Sequence, residues 1–317
     1  MKIETLTLTP YEIPLTNGQV RSGVLINIID EKGNSGWGDI APLPNWSRET
    51  IEDSLLLLNQ KKEEIIKIDW IGRFCLKQIE ELKLFPSAQF GLESALLSIL
   101  ASLPEHHVPT SALLMGSPEE ILFQAKLRQD EGYTPAKIKV SNLSFKEAAE
   151  VIHALKDRFR LRIDVNRAWN TQDSLQFFAQ FPTNAFDYVE EPFQDPHDLG
   201  QFPHPLAVDE SFPQDLTLEQ LESFPTLKAL IYKPTIQGGM LNCLYLHEWA
   251  AKKGIQLVLS SSFESDIGLA HIASIAHRLC LQIPVGIGTY HYLSRHICAD
   301  PLRFSRSFVS IPAQIRF

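Results

Sequence analysis

The chain is poor in the residues that mark several common protein classes. Only four of its 317 residues are cysteine and three are methionine. Cys75, Cys243, Cys280 and Cys298 lie far apart and form no Cys-x-x-Cys pair. That argues against a thiolate metal site or a dithiol redox motif, and the four read as buried, reduced thiols of a cytoplasmic protein. No apolar run approaches the roughly 18–20 residues that a membrane-spanning helix needs. The opening stretch MKIETLTLTPYEIPL alternates polar and apolar and lacks the continuous apolar core of a signal peptide, so it reads as a strand. Basic residues are the minority, 29 Lys and Arg against 38 Asp and Glu, for a net charge of −9. This balance argues against a nucleic-acid surface and leaves room for a local cationic pocket facing an anionic substrate. There is no Gly-x-Ser-x-Gly elbow and no Walker loop, and His247-Glu248 lacks the second His of a zinc helix. Gly286-Ile-Gly288 runs into Thr-Tyr-His, which is not a dinucleotide fingerprint. Nothing in the sequence specifies an oligomeric state.

What is present is an ordinary globular composition, 44% apolar and 21% charged, in a chain long enough for one large domain or two. The first third reads as α+β. Residues 2–14 and 23–30 pattern as strands, the Glu31–Asn34 turn leads to a returning strand at 35–38, and Ser47 is positioned to cap a following helix. Helical periodicity covers Leu55–Ile66 and Leu76–Leu82, and Pro86-Ser87 opens a small-residue helix. Phe177-Phe178 and Leu55–Leu58 read as core. Pro104–His107 reads as a boundary, with the two histidines structural.

Beyond about residue 109 the rhythm becomes short apolar run, polar turn, helix. The runs are 112–115, 136–140, 161–165, 188–189, 206–208, 229–231, 256–259 and 283–287. Eight strands alternating with helices predict a (β/α) barrel; a doubly wound sheet is the competing architecture. Ser117-Pro118-Glu119-Glu120 is a helix start. Nearly every run ends in a residue able to do chemistry: Lys137 and Lys139, Asp164 and Asn166, Glu190, Asp209, Lys233, Ser260–Ser262, and Gly286 and Gly288. From Lys139 onward the steps are 19 to 27 positions, about one strand–helix unit each. Barrel topology would bring these ends to one rim.

The converging set is three carboxylates flanked by lysines. Asp164, Glu190 and Asp209 are hard oxygen donors that would repel one another unless a cation sat between them, and such ligation suits Mg²⁺ or Mn²⁺. A nearby dication and burial would lower a lysine's pKa and make Lys139 or Lys233 a general base. Metal plus lysine is what removal of a proton next to a carboxylate requires. Singly, an Asp at a strand end reads as a helix cap, Glu-Glu-Pro as a turn and Lys as a solvated charge. The ordered series is what points to a joint site for a small-molecule carboxylate.

The stretches AKIKV (136–140), RIDVNRAW (162–169), VEEPF (189–193), AVDES (207–211) and IYKPTIQGG (231–239) resemble the enolase superfamily, in its muconate-lactonizing-enzyme branch. The resemblance implies a (β/α)7β barrel over 105–299, with an N-terminal α+β capping domain over 1–104 completed by about 300–317. Within the branch, GWGDIAPLPNWSRET (36–50), PSAQFGLESAL (86–96), LRIDVNRAW (161–169) and SSSFES (260–265) are similar to the o-succinylbenzoate synthase family, which serves menaquinone biosynthesis. That likeness implies syn-dehydration of 2-succinyl-6-hydroxy-2,4-cyclohexadiene-1-carboxylate. It implies Asp164, Glu190 and Asp209 as Mg²⁺ ligands and Lys139 as the base that later protonates the departing hydroxyl. Lys137 and the metal would stabilise the enediolate, and Lys233 would be a cation over the π face of the intermediate. Arg162, Asn166 and Glu210 would orient the ligands from behind. Ser260, Ser261 and Ser262, with the backbone at Gly286 and Gly288, would line the succinyl pocket. Residues 15–23 would form a loop closing over the substrate.

Two rivals share the scaffold's resemblance: a racemase of N-acyl amino acids or epimerase of dipeptides, and an inactive metal-binding scaffold. GIGTYHY (286–292) lacks the Asp-x-Asp with which dipeptide epimerases of this branch hold a substrate ammonium, which argues against a dipeptide.

Overall fold

The computed structural model describes residues 1–317. The chain opens with an antiparallel sheet of β1 (Ile3–Pro14), β2 (Val20–Asp30) and β3 (Ser35–Ile40), in that order. Asp30 shapes the β2–β3 turn by accepting hydrogen bonds from the backbone of Lys32 and Asn34, and Gly33 there takes a φ of 80°. Three helices follow, α1 (Ile51–Lys67), α2 (Cys75–Glu81) and α3 (Pro86–Leu100). Thr50 caps α1, in a capping box with Asp53, and not Ser47. The Ser47 hydroxyl accepts from the Leu43 backbone instead and folds the preceding loop on itself. α3 lies against β3, and the contact requires glycine: a Cβ on Gly38 would strike the Gly91 carbonyl. Ile3, Val24, Ile26, Ile40, Leu58 and Trp70 anchor the hydrophobic core of this region.

The short strand β4 (His106–Pro109) precedes the alternating part: β5 (Ala112–Leu114), α4 (Pro118–Asp130), β6 (Pro135–Lys139), α5 (Phe145–Leu155), β7 (Arg160–Asp164), α6 (Thr171–Phe178), β8 (Tyr188–Glu190), β9 (Leu206–Val208), α7 (Leu218–Glu222), β10 (Leu227–Tyr232), α8 (Pro234–Gln237), α9 (Met240–Lys253), β11 (Gln256–Leu259) and α10 (Asp266–Arg278). Strands β5 to β11 form one parallel sheet in sequential order. A parallel bridge from Ser260 to Gly286 and another from Thr110 to Val285 bring its edges round to the 283–287 run. That run is reduced to bridges, and Pro284 within it has no N–H for a ladder. The architecture is therefore the barrel, not the doubly wound sheet. A 3-10 turn at Pro196–Gln201 stands between β8 and β9 in place of a helix. Ser117 and Ser144 cap α4 and α5 with their own capping boxes.

The end of the chain makes β12 (Arg303–Ser305) and β13 (Phe308–Ile311), and β13 pairs with β4, not with β1–β3. The last residue does reach the N-terminal region, where the Phe317 ring lies 5.4 Å from Trp37. Three cysteines are buried; Cys280, expected inside, is exposed just past α10. No helix is long and apolar enough to cross a membrane.

Candidate active site

Parallel register aligns the strand ends. Lys139 pairs with Asp164 and Asp164 with Glu190 across β6, β7 and β8. Asp209 follows β9, Lys233 follows β10, and Ser260 follows β11 and bridges to Gly286. The predicted residues thus share the C-terminal rim of the barrel, where the strand–loop junctions of this architecture present side chains to a common mouth.

The three lysines are held differently. Lys137 Nζ lies 2.9 Å from Asp164 Oδ2 and 2.6 Å from Glu190 Oε1. Lys233 is ion-paired with Asp209, and Trp46 of the N-terminal region covers it, the ring centroid 5.2 Å from Nζ. Lys139 is 3.8 Å from Asp164 and donates to Asn166 Oδ1 at 3.2 Å. Its side chain is 33% exposed against 14% for Lys137 and 13% for Lys233, so it is the ammonium most open to the mouth.

Sequence reasoning expected a dication and burial together to lower Lys139 or Lys233. Among the protein groups themselves, burial pulls Lys137 and Lys233 down, but the facing carboxylates outweigh it. Asp164 and Glu190 hold Lys137 well above the ordinary lysine range, and Asp209 raises Lys233. The acids divide as well. Burial works against Asp164, yet Lys137 and Lys139 hold it below the ordinary range. Glu190 is pushed up to about 8 by burial and by the charge of Asp164.

The three lysines match the three carboxylates in number, yet burial and the crowding of the acids still raise Glu190. The side chains as they stand do not group three ligands around one point; the ammoniums occupy the space between the acids. Glu190 Oε2 is nevertheless buried with no hydrogen-bond partner, and Asp164 Oδ2 faces only lysine ammoniums. An all-oxygen donor set of crowded carboxylates, one with an orphaned oxygen, fits a hard divalent cation.

Several predicted roles change. Asn166 does brace the site: its N–H donates to Asp164 Oδ1 and its side chain receives Lys139. Arg162 points elsewhere, donating to Asp187 and to the Pro284 carbonyl, with its guanidinium over the Tyr188 ring. Arg162 faces the same side of β7 as Asp164 but lies two residues earlier, a full layer deeper in the barrel, where Asp187 and Pro284 are its neighbours. Glu210 touches none of the three carboxylates through a hydrogen bond; burial and the charges of Asp209 and Glu191 push it up to about 8. Ser260 and Ser261 donate to the Gly286 carbonyl, and Ser261 meets Thr289 at 2.7 Å. Ser262 turns inward onto Glu264. A cavity of about 50 Å³ is lined by Lys137, Lys139, Lys233, Ser260, Ser261, Phe263, Gly286, Gly288 and Thr289, without Ser262. A second cavity of about 180 Å³ adjoins Lys233 from the side of Trp46 and Glu210. Of the segment expected as a 15–23 loop, residues 20–23 belong to β2, and the remaining turn is anchored by Thr16 N donating to Tyr292 O.

Two contributors were missed. Glu191 accepts from the Asp209 and Ser211 backbones and from the Ser211 hydroxyl, which seats the loop carrying Asp209. The signal was available as the second acid of Glu-Glu-Pro. Trp46 had no signal, because its contact with Lys233 spans two regions distant in sequence.

Residues 120–315 match the family described as Enolase C-terminal domain-like, and residues 8–99 match MenC, N-terminal domain. An o-succinylbenzoate synthase of Pasteurella multocida is 31% identical over 90% of this chain and 89% of its own. The chain belongs to the o-succinylbenzoate synthase family of the enolase superfamily. A family member from Photorhabdus laumondii is 28% identical over 93% of both chains. Among solved structures, MenC from Desulfotalea psychrophila superposes with a TM-score of 0.81 at 20% identity, over 98% of this chain and all of that one. The L-Ala-D/L-Glu epimerase from Bacillus subtilis reaches 0.85 at 19% identity over 99% of each. At such identities the superpositions establish the shared fold of this synthase-family chain.

Proposed function

We propose that this enzyme of the family is an o-succinylbenzoate synthase, dehydrating 2-succinyl-6-hydroxy-2,4-cyclohexadiene-1-carboxylate in menaquinone biosynthesis, in the cytoplasm. The observation that carries the catalytic assignment is the asymmetry of the lysines. Lys137 and Lys233 are tied to carboxylates as ammoniums, while Lys139 stands open to the mouth. Lys139 Nζ removes the proton alpha to the ring carboxylate. The same nitrogen then gives that proton to the hydroxyl, the C–O bond breaks, and water and the aromatic product leave. Lys233 keeps its charge beside the ring, and Lys137 offsets negative charge behind the carboxylates. Asp164, Glu190 and Asp209 would hold Mg²⁺, or Mn²⁺ in its place, which supplies positive charge where the substrate carboxylate gains electrons.

The cavity that contains Lys139 and Lys233 is lined by serines, glycines, Thr289 and apolar groups, with no carboxylate opposite the lysines to hold a substrate ammonium. That favours a substrate whose far end is anionic or neutral over a dipeptide. The test is a spectrophotometric assay with freshly prepared substrate. Rapid dehydration that EDTA abolishes and Mg²⁺ restores is the expected result. Metal binding without turnover would overturn the synthase reading in favour of racemisation of N-acyl amino acids, and turnover indifferent to EDTA would overturn the metal.

A further inference from the structure

Asp39 lies on β3 and is completely buried. Its carboxylate receives three donors from two parts of the molecule. The Tyr11 hydroxyl reaches it from β1, at 2.9 and 3.0 Å from the two oxygens. The backbone N–H and the hydroxyl of Ser265 reach Oδ2 from the barrel at 2.8 and 2.7 Å. An ionised carboxylate, which only accepts, satisfies all three donors at once. Ser265 is the cap of α10, accepting from Gly268 N, and Gly268 has no room for a side chain because Asp39 Oδ2 lies 2.7 Å from where its Cβ would be.

The segment that ends at Ser265 is the one that walls the cavity at the rim. Ser260, Ser261 and Phe263 face that cavity. The intervening residues are anchored away from it: Ser262 donates its N–H and hydroxyl to Glu264, and Ser265 donates to Asp39. Phe263 sits between these anchors at a φ of 62°, a conformation that the flanking contacts must hold. We propose that Asp39 is a positioning residue whose carboxylate clamps the N-terminal region onto Ser265 and thereby sets the Ser260–Phe263 wall against the substrate. Burial, opposed by the Ser265 and Tyr11 hydrogen bonds, pushes Asp39 up to about 6, with Glu264 adding to the rise. A buried carboxylate with a second acid beside it is an expensive way to join two surfaces, and the position of the wall is what it secures. The proposal rests on the synthase reading for its kinetic arm alone.

The variants are Asp39→Asn, which keeps size and one acceptor oxygen, and Ser265→Ala, which removes the hydroxyl and leaves the backbone donor. In Mg²⁺, Asp39→Asn is expected to raise KM by about tenfold with kcat within about threefold, because the wall meets bound substrate and not the reacting bond. Ser265→Ala should show a smaller rise in the same parameter. Mn²⁺ affinity, measured without substrate, should be unchanged in both. Hydrogen exchange read by mass spectrometry should speed up together in residues 260–268 and in β3. Unchanged exchange in both segments would overturn the clamp. A fall in kcat alone, or in Mn²⁺ affinity, would overturn the wall as its target. Should the wild type fail to turn over the diene acid, the synthase reading falls by itself, and the exchange comparison still decides the clamp.

Discussion

Two of the places where the molecule buries carboxylates balance them in different ways. At the rim, Asp164, Glu190 and Asp209 face ammoniums: Lys137 lies against two of them and Lys233 against the third. At the junction of the N-terminal region with the barrel, Asp39 is held by hydroxyls and a backbone N–H, and Glu93 by the Gln89 amide and the Met240 N–H. Charges answered by mobile charges can be re-paired when a cation or an anionic substrate arrives. Charges answered by fixed dipoles cannot, and they serve as joints. The rim is accordingly where chemistry is expected and the junction where geometry is set.

The largest effect follows from the rim. Lys139→Ala should lower kcat by about a thousandfold or more, within the range of a lost general base, while the thermal midpoint and Mn²⁺ binding stay near wild type. Near-native kcat in that variant would move the proton transfer to another group and dissolve the distinction drawn between the open lysine and the two paired ones. Next is Lys233→Ala, which removes the cation over which Trp46 lies and leaves Asp209 unpaired. We expect kcat to fall by about 10²- to 10³-fold through lost electrostatic stabilisation. Racemisation chemistry would make both lysines bases, so the check is product formed in D₂O from N-acyl amino acids: solvent deuterium entering from both faces in wild type, and from one face in this variant, would reassign Lys233 as a base.

The same contrast explains what was legible beforehand. All eight apolar runs lie in strands or, for 283–287, bridges, and the acids at their ends came to one rim because parallel register leaves a side chain at each strand end no other place. Short-range logic succeeded at the Ser117 helix start, whose capping partner is three residues away, though it put the α1 cap at Ser47 and not Thr50. It failed where the partner is remote. Arg162 looked like a brace for the carboxylates until Asp187 and Pro284 proved to be its partners. Ser262 looked equivalent to Ser260 and Ser261 until Glu264, only two residues on, claimed it, so a near partner can mislead as well. The acids that lie against Lys137 and Lys233 raise both, a contribution that weighing only a dication and burial leaves out.

The junction yields the smallest effect and the sharpest test of the contrast. Asp39 is raised from 3.8 to about 6 by burial. Below pH 4 the carboxyl is protonated in both folded and unfolded chains and contributes no pH dependence. Between about 4 and 6 the unfolded chain releases its proton while the folded chain keeps it, so native stability falls as pH rises through this window. Above 6 the fold carries a buried anion at a cost of about 3 kcal/mol relative to acid pH. Asp39→Asn cannot ionise and lacks this slope. Urea midpoints measured for both proteins from pH 4 to 8 should therefore show the variant gaining on wild type as pH rises, with the gain complete near pH 7. Glu93, pushed up to about 7, is common to both proteins and cancels in the difference. A difference independent of pH would mean that the Ser265 and Tyr11 donors solvate the anion as well as water does, and that the junction carries its charge without cost. A variant that is no less stable at pH 8 yet binds substrate less tightly would mean that the carboxylate is held there for the wall it positions.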